Sequence, residues 1–243
     1  MKSRTISTIF LTLLLVLKVN RELLSQNSTE DFKKINMSYL NHKQLSSDVE
    51  YILFEDEFTD EPMQVEKGEF MKDGDNYYSK IGSLEIINRP GYFFSINHKE
   101  KTIYLTNNSR KNFDPALFAM NLEKTIAVCS EIKFKELNKT QNQYVLVYPS
   151  QEYKKVEIVY NKKTFMIEKI VFYYFAPLPP SEIDKPQSDK PPRLELACKN
   201  INLNPAIPQN KINYYSFLTE EKGKITPLEM YKDYSFYNYY KPK

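Results

Sequence analysis

Residues 68–105, GEFMKDGDNYYSKIGSLEIINRPGYFFSINHKEKTIYL, decide the fold class. Apolar and aromatic residues come in short runs, and every run ends on a turn signal. Lys72-Asp73-Gly74-Asp75 carries the Asp-Gly pair of a tight hairpin. Gly82-Ser83 separates residues 76–81 from 84–87, and Arg89-Pro90-Gly91 precedes residues 92–96. The polar stretch Asn97-His98-Lys99-Glu100 returns the chain into residues 102–106. Connections this short join antiparallel neighbours and leave no room for crossover helices, so the stretch is a meander.

Upstream, residues 29–46 have helical spacing. Ser28 or Thr29 caps the start, and Glu30-Asp31 suit the positive end of the helix dipole. Phe32, Ile35, Tyr39, His42 and Leu45 form one stripe. From Val49 the period becomes two, with both faces apolar until Glu55-Asp56-Glu57. That acidic run, with Asp60 and Glu61, lacks the spaced ligands and glycine of a calcium loop and reads as a solvated connection. Residues 63–71 are the next strand.

Downstream, Asp114-Pro115 opens a second helix, with Asp as cap and Pro at the first helical position. It runs to about residue 130, and Leu117, Phe118, Met120, Leu122, Ile126 and Cys129 make a broad apolar face. Strands follow at 132–137, 144–148, 156–160 and 166–175, the last pair joined by the turn 161–164. Residues 177–192 hold six prolines and read as a surface loop. Residues 193–203 are the last expected strand. The tail, 204–243, is rich in tyrosine without a clear period and is expected to lie against the sheet or a partner.

Composition agrees with a sheet. Of 243 residues 41% are apolar, enough for one core or two small ones. The 19 Tyr and 15 Phe favour antiparallel strands, and only 5 Gly argues against glycine-rich nucleotide turns. The fold class is α+β, predominantly antiparallel β, with two helices.

Residues 1–25 are laid out as a signal peptide. Lys2 and Arg4 form a positive start, and residues 6–17 an apolar stretch too short to span a bilayer. Cleavage is expected after Ser25, leaving a soluble exported protein, periplasmic, with no transmembrane span. The net charge of +3 belongs wholly to that segment, because from residue 26 onward 30 basic and 30 acidic residues balance. Without a positive field, nucleic-acid binding loses its main support.

Little chemistry is on offer. Cys129 and Cys198 have no CxxC partner or nearby His, so metal binding is not expected; a disulfide and buried thiols both stay open. His42 and His98 are the only histidines, expected to be exposed and unpaired. No nucleophile elbow, phosphate loop, dinucleotide fingerprint or HExxH is present, so neither catalysis nor a cofactor is expected.

The order of signal, amphipathic helix, meander, covering helix and further meander resembles the LolA/LolB-like periplasmic lipoprotein carriers. Residues 68–105 carry the likeness: a Gly-led strand, an aromatic strand, a turn near Asn88–Gly91, then a hairpin ending in Ile-x-Leu. The chain departs from the family in having no Trp and no arginine on an inner strand to latch a helix. Lys67 and Lys72 are not planar forks.

The resemblance implies a curved incomplete β-barrel (half-barrel) over residues 26–203, covered by two helices, that holds acyl chains in an apolar cavity. Candidate lining residues are Phe54, Phe70, Phe94, Leu117, Phe118, Met120, Leu122, Ile170 and Phe172. The ligand would be a lipid or a lipoprotein acyl chain, with a role in lipoprotein trafficking. The alternative is an interaction component of a cell-envelope assembly that uses Tyr214, Tyr215, Tyr231, Tyr234, Tyr237 and Tyr240 to bind a protein partner.

Overall fold

A computed structural model describes residues 28–107, 122, 126–149, 152–177, 190–221 and 223–240. The signal segment, the lining candidates Leu117, Phe118 and Met120, and most of the proline-rich stretch lie outside the described residues.

Helix α1 covers residues 28–41. The strands β1 (Gln44–Phe54), β2 (Pro62–Asp73), β3 (Asn76–Ile81), β4 (Leu84–Arg89), β5 (Tyr92–Asn97) and β6 (Thr102–Thr106) follow. The second half holds β7 (Glu131–Glu136), β8 (Gln141–Val147), β9 (Tyr153–Asn161), β10 (Ile167–Tyr174) and β11 (Arg193–Asn202). A short helix, α2 (Gln209–Ile212), the hairpin β12 (Leu218–Glu221) and β13 (Lys224–Pro227), and β14 (Ser235–Tyr239) end the chain's described part.

One sheet of twelve strands has the order β14-β6-β5-β4-β3-β2-β1-β11-β10-β9-β8-β7. It is open, with β14 and β7 at its two edges. Every pairing is antiparallel except β14 with β6, which is parallel. The meander's turns follow glycine chemistry. Gly74, at φ +61°, takes the first place of a two-residue loop between β2 and β3, a position that favours Gly because its φ is positive.

Register assigns two cores to opposite faces. Phe70 pairs with Ser79 and Met71 with Tyr78, so Phe70 and Tyr78 point to opposite sides. On the Phe70 side, Phe32, Ile35 and Tyr39 of α1 pack on Val49, Tyr51, Tyr144, Ile158, Ile170, Phe172 and Leu196. On the Tyr78 side, Ile87, Phe94, Ile96, Ile103 and Leu105 are covered by Ile207, Ile212, Phe217, Leu218 and Tyr231 from the C-terminal segment. The alternating meander strands thus bury both faces, one half of the sheet under α1 and the other under the tail.

Several expectations need correction. Helix α1 stops at residue 41, and Leu45 is a buried strand residue opposite Lys72. Leu45 fits a helical stripe and an alternating strand equally, and pairing with β2 decides between them. Residues 193–203 do not hold the last strand, since β12, β13 and β14 come later. β12 and β13 are too short, at four residues each, to show a period, and β14 pairs with the distant β6. The second helix ends earlier than expected: Ile126 is helical and Cys129 is not. Of the two cysteines, Cys198 is buried and Cys129 half-buried.

Gly68 sits where β2 crosses β3 closely, and a Cβ there would lie 2.0 Å from the Lys80 carbonyl oxygen. Backbone cannot yield as a side-chain tip can. Gly68→Ala is expected to cost ~2 kcal/mol by forcing a backbone shift, read as a lower urea midpoint with unchanged slope. An unaltered midpoint would show that the strands part freely at this point.

Candidate functional site

The seam between α1 and the sheet concentrates the sequence's apolar candidates. Phe70, Leu122, Ile170 and Phe172 all belong to the core cluster beneath α1, each no more than 2% exposed. Phe32 of α1 meets the Tyr144 ring at 4.6 Å, and Ile35 is fully buried. Phe94 does not join them: it lies on the other face, 5.6 Å from the Phe217 ring. Phe54 ends β1 beneath the Arg193 guanidinium, 4.0 Å from its ring centre.

Polar ties fasten α1 at both ends. Near its start, the Asp31 carboxylate accepts from the Tyr144 hydroxyl at 2.9 Å and the Tyr160 hydroxyl at 2.5 Å. Burial, reinforced by the neighbouring Asp31, pushes both hydroxyls well above the usual tyrosine range. At its end, the Lys72 ammonium donates to the Tyr39 carbonyl at 2.8 Å and to the His42 carbonyl. A cation there satisfies carbonyls that the helix leaves unpaired and meets the negative end of its dipole. Burial lowers the Lys72 pKa, with Asp75 opposing. Ser38 adds a hydroxyl bond to the Phe165 carbonyl, 3.1 Å.

Lys72 is the buried cation that sequence reasoning passed over. Its signal was available: two residues beyond Phe70 on an alternating strand, it must share the inward face. A buried lysine needs acceptors, and the end of α1 supplies them.

The acidic run is a clamped turn instead of a solvated connection. Asp56 Oδ1 accepts from the Phe58 and Thr59 N–H groups and from the Thr59 hydroxyl, each at 2.8 Å. Lys190 holds Oδ2 at 2.8 Å, and Arg193 donates to the Glu57 and Thr59 carbonyls at 2.9 and 3.2 Å. The Lys190 bond, then those from Thr59 and Phe58, keeps the Asp56 carboxyl well below the usual carboxylate range. Its oxygens are occupied by donors of the chain itself, Oδ1 by neutral groups and Oδ2 by the Lys190 ammonium. Among the described residues no group of three or more His, Cys, Asp or Glu is placed to hold a metal.

His98, expected to be unpaired, is tied on both ring nitrogens. Nε2 lies 3.1 Å from Glu85 Oε1 and Nδ1 3.0 Å from the Tyr234 hydroxyl. A carboxylate only accepts, so in the neutral ring Nε2 donates to Glu85 and Nδ1 accepts from Tyr234. Glu85 is pulled up by burial, yet hydrogen bonds from Lys80 and His98 leave its pKa lowered. His98 thus joins β4 and the β5–β6 turn to the tail, a contact 136 residues apart in sequence.

The tail tyrosines divide. Tyr231 is buried and Tyr234 packs edge-on against it at 5.2 Å, while Tyr214 meets Tyr92 at 4.7 Å. Tyr240 packs partly buried on the tail-side core. Tyr215 and Tyr237 are exposed, at 53% and 39%. On the face away from α1, an open trough of about 740 Å³ crosses β8–β11. Its polar walls are mutually satisfied, with Gln141 and Asn161 on Glu168 and Gln143 on Glu157.

The chain is an open, mostly antiparallel sheet with a helix on one face. The solved structures it is similar to include a LolA superfamily protein from Nitrosomonas europaea: 10% identity, 77% of this chain and 98% of that one, TM-score 0.35. Another is described as an outer membrane lipoprotein-sorting protein domain from Vibrio parahaemolyticus (12%, 77% and 96%, TM-score 0.38). A third is the MucA/MucB complex of Pseudomonas aeruginosa (8%, 76% and 60%, TM-score 0.43). No protein-family model and no curated protein sequence matches the chain. Identities this low leave ligand and activity to the residues of this chain.

Proposed function

We propose that this is an exported, periplasmic, non-enzymatic protein that binds a lipid or acylated ligand at the seam between α1 and the sheet, in the manner of a lipoprotein carrier. The observation that supports it is the construction of α1. Three apolar side chains, Phe32, Ile35 and Tyr39, enter the sheet's core, with polar ties at the helix ends. A helix so held is a plug that an apolar ligand can replace. Burying three such side chains gains ~5–9 kcal/mol, and a chain of a dozen methylenes ~10 kcal/mol. The exchange is therefore close to balanced, as reversible loading requires.

The second reading, an envelope interaction component, draws on the tail, where Tyr215, Met230 and Tyr239 are more than half exposed. One experiment separates the two. The secreted protein is extracted with organic solvent and the extract analysed by mass spectrometry, and a fluorescent fatty acid is titrated into the stripped protein and into Lys72→Met. Stoichiometric acyl species, with tighter fatty-acid binding by Lys72→Met, are expected. An empty protein that binds no fatty acid in either form sinks the carrier reading and leaves the interaction one.

A further inference from the structure

The two edges of the sheet differ in chemistry. β7 reads EIKFKE, with Glu131, Lys133, Lys135 and Glu136 in six residues. Charges along an edge resist pairing, because a partner strand would strip their water. β14 reads SFYNY, without charge or proline. The described residues do not cover it either, since Ser235, Tyr237, Asn238 and Tyr239 are all exposed. An uncharged, uncovered edge is the arrangement that soluble proteins ordinarily avoid.

The strand is also held in a pairing-ready form. Tyr237 stacks on Tyr104 of β6 at 4.8 Å, and the Ser235 N–H donates to the Lys101 carbonyl at 2.8 Å. Alternation along a parallel strand then turns the N–H and C=O groups of Phe236 and Asn238 outward, away from β6. Asn238 Oδ1 takes the Tyr240 N–H at 2.9 Å and ends the strand.

We propose that β14 is a strand-pairing interface for a second copy of this chain, two β14 edges meeting antiparallel about a twofold axis to join two sheets. Self-pairing sets uncharged residues against uncharged residues, and cross-strand aromatic pairs add to it. Pairing with β7 of another copy would desolvate Lys133 and Lys135 and, being head-to-tail, would not close. The twofold contact stops at a dimer. A contact built on one short strand is small, so the dimer belongs to the weak, reversible class.

Sedimentation velocity of the secreted full chain over a dilution series tests this, beside Asn238→Pro and Tyr239→Lys. Asn238→Pro removes an outward N–H and leaves the bonds to β6 intact, a place where an edge strand tolerates proline. Tyr239→Lys puts like charges into the paired ladder. A wild-type monomer–dimer equilibrium is expected, weakened at least ~10-fold by each variant, ~1.4 kcal/mol. A monomer at every concentration overturns the proposal, as does a dimer indifferent to both variants. Open-ended growth overturns it too, by assigning the edge to β7. If Asn238→Pro does not fold, Tyr239→Lys decides alone, because its side chain is 60% exposed.

Discussion

Raising the pH through 11 is expected to unfold this protein cooperatively, with a burst of phenolate absorbance. Unfolded tyrosines ionise near pH 10. In the folded chain burial pushes Tyr78, Tyr144, Tyr148 and Tyr160 well above that range, helped by Glu85 and Glu69 beside Tyr78 and by Asp31 beside Tyr144 and Tyr160. Tyr92 is pushed up to about 12, again by burial first. The folded state therefore keeps protons that the unfolded state loses. Stability from these groups is fully present below pH 10 and disappears as pH rises toward the folded values.

The size of the effect follows directly. Each such tyrosine costs ~1.4 kcal/mol per pH unit, so the four buried ones together cost ~5–6 kcal/mol per unit. A domain stable by ~5–15 kcal/mol does not survive more than one to three such units. Lys72 acts in the opposite sense: its lowered pKa means that deprotonation relieves the folded state as pH rises. It is one group against four, and its window closes at its ordinary value of 10.5, where the tyrosine loss is only beginning. The tyrosines win. Circular dichroism and phenolate absorbance are expected to change together, in one step. Smooth titration of every tyrosine near pH 10, with the secondary structure intact, would mean that the aromatic cores admit water.

Lys72→Met is expected to loosen the end of α1 and lower stability by ~3 kcal/mol. Three terms decide this. The buried Tyr39 carbonyl and the part-buried His42 carbonyl lose their donor, at ~1–3 kcal/mol for the first and less for the second. Loss of a positive group at the helix end costs ~0.3–1 kcal/mol more. Relief of the buried ammonium offsets part of both, and methionine fills most of the space. Hydrogen exchange distinguishes this from a general weakening. Amides in the last turn of α1 are expected to exchange faster, whereas those near Asp31, still tied to Tyr144 and Tyr160, keep their protection. Equal acceleration throughout α1 would show that Lys72 is no latch.

The meander was legible from local signals. Residues 76–81 and 102–106 are the strands β3 and β6 end for end, because turn residues and period-two alternation both act within a few positions. The stripe Phe32, Ile35 and Tyr39 was legible for the same reason, since each lies one helical turn from the next. Local order marked Phe70, Ile170 and Phe172 only as apolar, expected as cavity lining, and it did not place them in the packed core where they lie. It could not say that Phe94 belongs to another core, because face assignment passes from strand to strand through registers that only pairing fixes.

What the sequence by itself determined about this protein is the order of its strands as far as β11 and which side chains are apolar enough to be buried. The tertiary structure alone decided their partners. Lys72 beneath the end of α1, His98 between Glu85 and Tyr234, and β14 alongside β6 are contacts between segments 30 to 136 residues apart. Their free energy comes from desolvated hydrogen bonds and packed rings that exist only once the sheet has formed. No window of neighbouring residues contains them.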